Sequence, residues 1–237
     1  MTTLNSRRHT ARLAGALYAA MGVFSALALT SFPAKFVVPG DAAATAARIG
    51  SAPLVYRLWM VSDLATAVCY IYLAMTMYQL FKDVDRNQAR VLVAMILVQV
   101  PMWFVLTLIK LAPRVLLNGS TYWSVFDKPQ LDALALGSLG LLDRGASAMS
   151  AYWGLWLLPF GLLVYRSGFI PRLFGVFLLI ASGAYLVSAA TYFVFPTYYG
   201  TVFWAAAPLY GLGEVGIIGW LLIKGVRETT SAASAPL

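Results

Sequence analysis

The stretch LFGVFLLIASGAYLVSAATYFVF, residues 173–195, contains no charged side chain. At about 1.5 Å per residue, a helix of this length crosses a hydrocarbon layer about 30 Å thick. Polar and apolar residues do not alternate along it, so it does not read as a strand of a membrane barrel, and only a helix satisfies its backbone in lipid. Working outward, five more stretches read the same way: 13–32, 54–81, 91–111, 145–165 and 201–223. The sequence predicts an all-α integral membrane protein, a six-transmembrane-helix bundle.

The rest of the composition agrees. Of 237 residues, 61% are hydrophobic and 11% charged, against about half and about a quarter in soluble domains. A single membrane domain is expected over 13–225, with a cytoplasmic N-terminal tail over 1–12 and a disordered cytoplasmic tail over 226–237, rich in Ser, Thr and Ala. The net charge of +8 lies in short groups between apolar runs, which suits topology signals and contacts with membrane lipids and excludes a nucleic-acid stripe.

Other chemistry is excluded by absence. Cys69 is the only cysteine and His9, before the first apolar run, the only histidine. Haem between paired histidines, a histidine-bearing protease dyad and HExxH zinc chemistry therefore have no ligands in the apolar region. A retinal Schiff base needs a mid-membrane lysine, whereas Lys110 and Lys224 read as span ends. Neither a phosphate-binding loop nor a dinucleotide fingerprint is present, and no cofactor is expected.

Orientation follows the cations. With the N-terminus inside, the cytoplasmic segments carry Arg7, Arg8, Arg12, Lys82, Arg86, Arg90, Arg166, Arg172, Lys224 and Arg227. The longer outer segments carry Lys35, Arg48, Arg57, Lys110, Arg114, Lys128 and Arg144, so basic density places both termini in the cytoplasm. The first apolar run exceeds the core of a cleaved signal peptide, which favours an uncleaved anchor.

Two outer loops carry structure. Pro39-Gly40-Asp41 forms a turn and an N-cap, followed by a short amphipathic helix over 42–49 near the interface. In the second loop, Asn118-Gly119 turns the chain and Tyr122, Trp123 and Phe126 suit the headgroup region. From Pro129 a helix runs through Leu142 toward span four, making this loop a natural lid. No internal repeat of the inverted-transporter kind is visible.

Acids within spans are costly and mark sites. Glu214 lies roughly 20 Å into span six and Asp63 roughly 9 Å inward of Arg57. Helical spacing places Tyr56, Asp63, Ala67, Tyr70 and Ala74 on one face, and Tyr210 with Gly211 beside Glu214. Arg57, Lys110, Asp143 and Arg144 project from outer span ends. With Asp63 they are expected to line a polar vestibule opening outward, floored by Glu214; the alternative is that the cations snorkel to headgroups and Asp143 pairs locally. The ligand-binding candidates are thus Asp63, Glu214, Arg57, Asp143, Arg144, Tyr70 and Tyr210. Small-residue seams such as Gly15, Ala19, Gly22 and Ala26 read as helix packing.

Three stretches resemble a known family. They are Val38-Pro39-Gly40-Asp41-Ala42-Ala43-Ala44-Thr45-Ala46-Ala47, the run from Tyr165-Arg166-Ser167-Gly168-Phe169-Ile170-Pro171-Arg172 through Val176, and Glu214 followed by Trp220-Leu221-Leu222-Ile223-Lys224-Gly225-Val226. Together they resemble the bacterial membrane family labelled domain of unknown function 4386, over almost the entire chain, and Asp63 and Arg57 look like members of its pattern. The resemblance implies a six-span protein of the bacterial inner membrane and brings no established activity. Where that family often shows an Asp-x-His step, this chain reads Asp143-Arg144-Gly145, so no histidine-based site is carried over.

The leading functional expectation is binding or transport of a small or amphiphilic molecule through a cavity with intramembrane acids. The alternatives are a histidine-independent intramembrane enzyme acting on lipid or isoprenoid groups and a structural or regulatory membrane subunit. Meeting carboxylates would favour the enzyme, and absence of a cavity the subunit.

Overall fold

The computed structural model describes residues 3–119 and 121–227. Among them every regular element is helical, and no strand occurs. In chain order these are α1 (Thr3–Ala26), a π-helical turn (Leu27–Ser31), α2 (Phe32–Phe36), α3 (Ala42–Ser51), α4 (Pro53–Phe81), α5 (Arg86–Leu97), α6 (Gln99–Leu117), a 3-10 turn (Thr121–Trp123), α7 (Lys128–Ser167), α8 (Arg172–Val194), a second 3-10 turn (Pro196–Tyr198) and α9 (Tyr199–Ile223). Six helical stretches are long and apolar enough to cross a bilayer: Asn5–Phe36, Pro53–Phe81, Arg86–Leu117, Lys128–Ser167, Arg172–Val194 and Pro196–Ile223.

Proline chemistry explains the interruptions. Pro101 has no N–H for the carbonyl of Leu97 and its ring crowds that oxygen, so the third stretch breaks at Val98 between α5 and α6. Pro33 acts similarly on the first stretch. There the N–H of Phe32 bonds the carbonyl of Leu27, the i→i+5 pattern of a π turn. Ala28 thereby loses its α-helical donor, and Pro33, its π-helical one, has no hydrogen to give.

The chain forms two compact units. The first comprises the described residues of 1–19, 72–97 and 150–237. Within it α8 packs on α9, and Gly175 lets α8 touch α7: a Cβ there would lie 2.7 Å from the backbone nitrogen of Tyr165. Past α9, Gly225 turns the chain at φ +69°, a left-handed stop that glycine accepts readily. Arg227 then donates its N–H to the carbonyl of Phe169 at 2.8 Å and sets its guanidinium over Trp220. Val226 is buried; the remainder of the expected C-terminal tail, 228–237, lies outside the described residues.

The second unit comprises residues 20–71 and 98–149. Asp41 caps α3, accepting the N–H of Ala44 at 2.8 Å, while Thr45 donates to the carbonyl of Asp41 at 2.8 Å and accepts the N–H of Val38 at 3.0 Å. Gly40 supplies the turn at φ +78°. At the start of α7 Asp127 accepts the N–H of Gln130 at 2.8 Å, and Gln130 returns the favour to the N–H of Asp127 at 3.0 Å, a reciprocal cap that satisfies two end donors. The helix that begins there is 40 residues long, about 60 Å, roughly twice a bilayer core. Its residues to Met149 belong to the second unit and the rest to the first.

Candidate functional site

In the second unit, α7 presents Leu136, Leu139, Gly140, Asp143 and Ala146 at spacings of three and four, one helix face. Opposite stand Ala28 and Leu29 of the π turn, Pro33 and Val37, the Pro39-Gly40 turn, and Trp59 of α4. They enclose a cavity of about 450 Å³ in which Asp143 is the single charged residue. The indole N–H of Trp59 donates to the carbonyl of Ala28 at 2.7 Å, the oxygen left over by the π turn. Proline chemistry in one helix therefore fixes the aromatic wall supplied by another.

One helical turn beyond Trp59 on the same face lies Asp63, fully buried. Both carboxylate oxygens accept from Lys110 Nζ at 2.6 Å, and the Thr107 hydroxyl reaches one of them at 3.3 Å. Lys110 is also fully buried, with its ammonium 4.9 Å from the centre of the Trp59 ring. Tyr56 donates to the carbonyl of Lys110 at 2.8 Å. Such an enclosed pair holds its geometry because each charge is the other's main solvation. It leaves Asp63 turned toward Lys110 and Asp143 facing the cavity. The lining is accordingly apolar with one carboxylate, and not the polar vestibule expected from the sequence.

The other expected residues are placed as follows. Arg57 and Arg144 are exposed and line no part of the cavity, and Tyr70 is buried in the same unit. Lys110, expected at a span end, is enclosed within α6, because α6 continues to Leu117. Its snorkelling to headgroups is ruled out by that burial.

Glu214 belongs to the first unit. Tyr18 of α1 donates to one carboxylate oxygen at 2.6 Å and Tyr185 of α8 to the other at 2.8 Å. Tyr185 stacks on Tyr210 with ring centres 3.8 Å apart, and the hydroxyl of Tyr210 meets that of Ser188 at 2.6 Å. Trp153 and Trp156 set their rings edgewise to Tyr185 and Tyr18. The expected neighbour Tyr210 thus reaches Glu214 through Tyr185.

Three contributors, Trp59, Tyr18 and Tyr185, were not singled out in the sequence, and Lys110, expected among the vestibule residues, was not expected as the direct partner of Asp63. Lys110 is traceable through the buried stripe Gln99, Trp103, Leu106, Lys110 and Pro113, spaced by three and four. Trp59 is traceable as the residue four before Asp63. Tyr18 and Tyr185 carried no local signal, since each meets Glu214 only through tertiary packing.

Residues 13–225 match the family described as Domain of unknown function (DUF4386). The chain belongs to that family. No curated protein and no solved structure matches it. In this DUF4386 chain the Val38–Ala47 stretch is the turn and cap beside the cavity. The Tyr165–Val176 stretch is the α7–α8 turn, with Gly168 at φ +71°, and Glu214 is the carboxylate held by two tyrosines.

Proposed function

We propose that this DUF4386 protein binds an amphiphilic molecule, with the apolar body in the cavity of the second unit and the polar end at Asp143. The observation that carries this reading is the cavity itself. At about 450 Å³ it falls in the range of small-molecule sites, roughly 300–1,000 Å³, whose walls are mostly apolar with few orienting polar groups. Asp143 is exposed, so its charge stays solvated until a ligand arrives. The reading includes six membrane spans in a bacterial inner membrane, both termini cytoplasmic by basic density, and α3 lying at the outer interface. Transport is the extension of the same binding step.

The test uses Gly140→Phe. A Cβ at Gly140 meets nothing within 4 Å, so the ring enters the cavity without displacing backbone. Purified protein titrated with N-phenyl-1-naphthylamine, a neutral apolar dye, is expected to show saturable fluorescence that Gly140→Phe abolishes. Native mass spectrometry should find a copurified amphiphile on the parent and not on the variant. Equal dye binding and equal adducts in both proteins would remove the proposal.

A further inference from the structure

We infer that Glu214, with Tyr18 and Tyr185, forms a second binding site, for an organic ammonium ion. The two tyrosine hydroxyls occupy one position on each carboxylate oxygen. A carboxylate offers about four lone-pair sites, so acceptor capacity remains. No Lys, Arg or His side chain forms an ion pair with Glu214 among the described residues. Glu214 is also the only charged residue of α9. In so apolar a helix a carboxyl is held as an anion only beside a positive companion, burial otherwise favouring its neutral form, and none of the described residues supplies one.

The surroundings select the companion. Two ring groups flank the carboxylate, Tyr18 with Trp156 and Tyr185 with Trp153 and Tyr210, each reaching one oxygen through its tyrosine hydroxyl. Electron-rich ring faces attract substituted ammonium groups, which bring apolar alkyl surface with the charge. A hard divalent cation wants six or more oxygens, whereas here one carboxylate and two hydroxyls converge. Space exists as well: Gly211, three residues before Glu214 on the same face, is a position where a Cβ would meet nothing within 4 Å, and Glu214 itself is not fully buried. Ammonium groups occur both in soluble amines and in phosphatidylethanolamine. The absence of a cation beside Glu214 leaves a lipid phosphate without a partner and favours the soluble amine.

The experiment uses the full chain in nanodiscs and radiolabelled triethylamine, which is protonated at neutral pH and carries one N–H donor beside its alkyl groups. Saturable binding is expected, weakened about 10–100-fold by Glu214→Gln and about 2–10-fold by Tyr185→Phe, the losses for removing a charged and a neutral hydrogen-bonding partner. Gly211→Leu fills the adjoining space and leaves the carboxylate intact; it should weaken binding too, which separates loss of the site from loss of the fold. Nanodiscs with and without phosphatidylethanolamine distinguish the sources: competition by the lipid assigns the site to its headgroup, and no competition assigns it to a soluble amine. Binding unchanged in Glu214→Gln, no saturable binding below about 1 mM, or a loss that follows Asp143→Asn instead overturns the inference.

Discussion

Replacing Lys110 with Met keeps the length of the side chain and strips Asp63 of the ammonium that contacts both its oxygens at 2.6 Å. What remains is a fully buried carboxylate with one hydroxyl contact, from Thr107 at 3.3 Å. Breaking a buried ion pair from one side costs about 3–5 kcal/mol, because the surviving charge keeps its desolvation penalty and loses its compensation. Asp63→Leu strands Lys110 in the same way, beside the face of Trp59, and should cost a similar amount. The double variant removes both charges, and its stability should return to within about 1 kcal/mol of the parent, since apolar replacements of a buried pair are often neutral. Reversible unfolding in mixed SDS micelles, followed by tryptophan fluorescence, measures all three. A Lys110→Met protein within about 1 kcal/mol of the parent, or a double variant as unstable as the singles, refutes the claim that this pair is enclosed and mutually dependent.

Three further outcomes are expected. Trp59→Phe keeps the ring and deletes the N–H that bonds Ala28, leaving a carbonyl unsatisfied; the cost is about 1–3 kcal/mol in the same unfolding assay, and a neutral result removes the link between π turn and cavity wall. Gly175→Ala drives a Cβ to within 2.7 Å of Tyr165 backbone and should cost about 1–3 kcal/mol, whereas Gly183→Ala on the same helix, with nothing within 4 Å, should be neutral or slightly stabilising; equal effects contradict the close packing of α7 on α8. Asp41→Ala removes the α3 cap at about 1 kcal/mol, visible as faster amide exchange at Ala44 without a change in exchange along α8.

The six long apolar helices were legible because a long uncharged run has one way to satisfy its backbone within itself, and runs such as 173–195 offer no competing period. The α3 cap was legible too, since Pro39-Gly40-Asp41 encodes turn and N-cap locally. The two breaks had a local signal in Pro33 and Pro101, whose consequences depend on which carbonyl loses its donor. Partners across helices were harder. Asp63 was singled out for its cost in lipid, yet nothing adjacent in sequence says that Lys110 neutralises it, because the 47 intervening residues must fold before the two meet. Glu214 was read from its depth and from the family-like stretch it opens; the tyrosines that hold it come from helices elsewhere along the chain. The cavity was least legible of all, being a space defined by shapes and not by charges.

The contacts of α1 have a consequence for biogenesis. Gly15 lies so close to Leu221 that an added methyl would come within 2.9 Å, Arg12 reaches the carbonyl of Ile223 at 3.2 Å, and Tyr18 reaches Glu214. The last of these joins residues 196 apart. At about 5–20 residues per second of synthesis, the first helix emerges on the order of 10–40 s before its counterpart exists. During that interval the Gly15 side of α1 lacks the surface that covers it in the folded chain. A chain that stops before Leu221 therefore keeps the contact of Tyr18 with Trp156 but leaves the Gly15 side of α1 bare, and quality control has a physical mark by which to tell an aborted copy from a finished one.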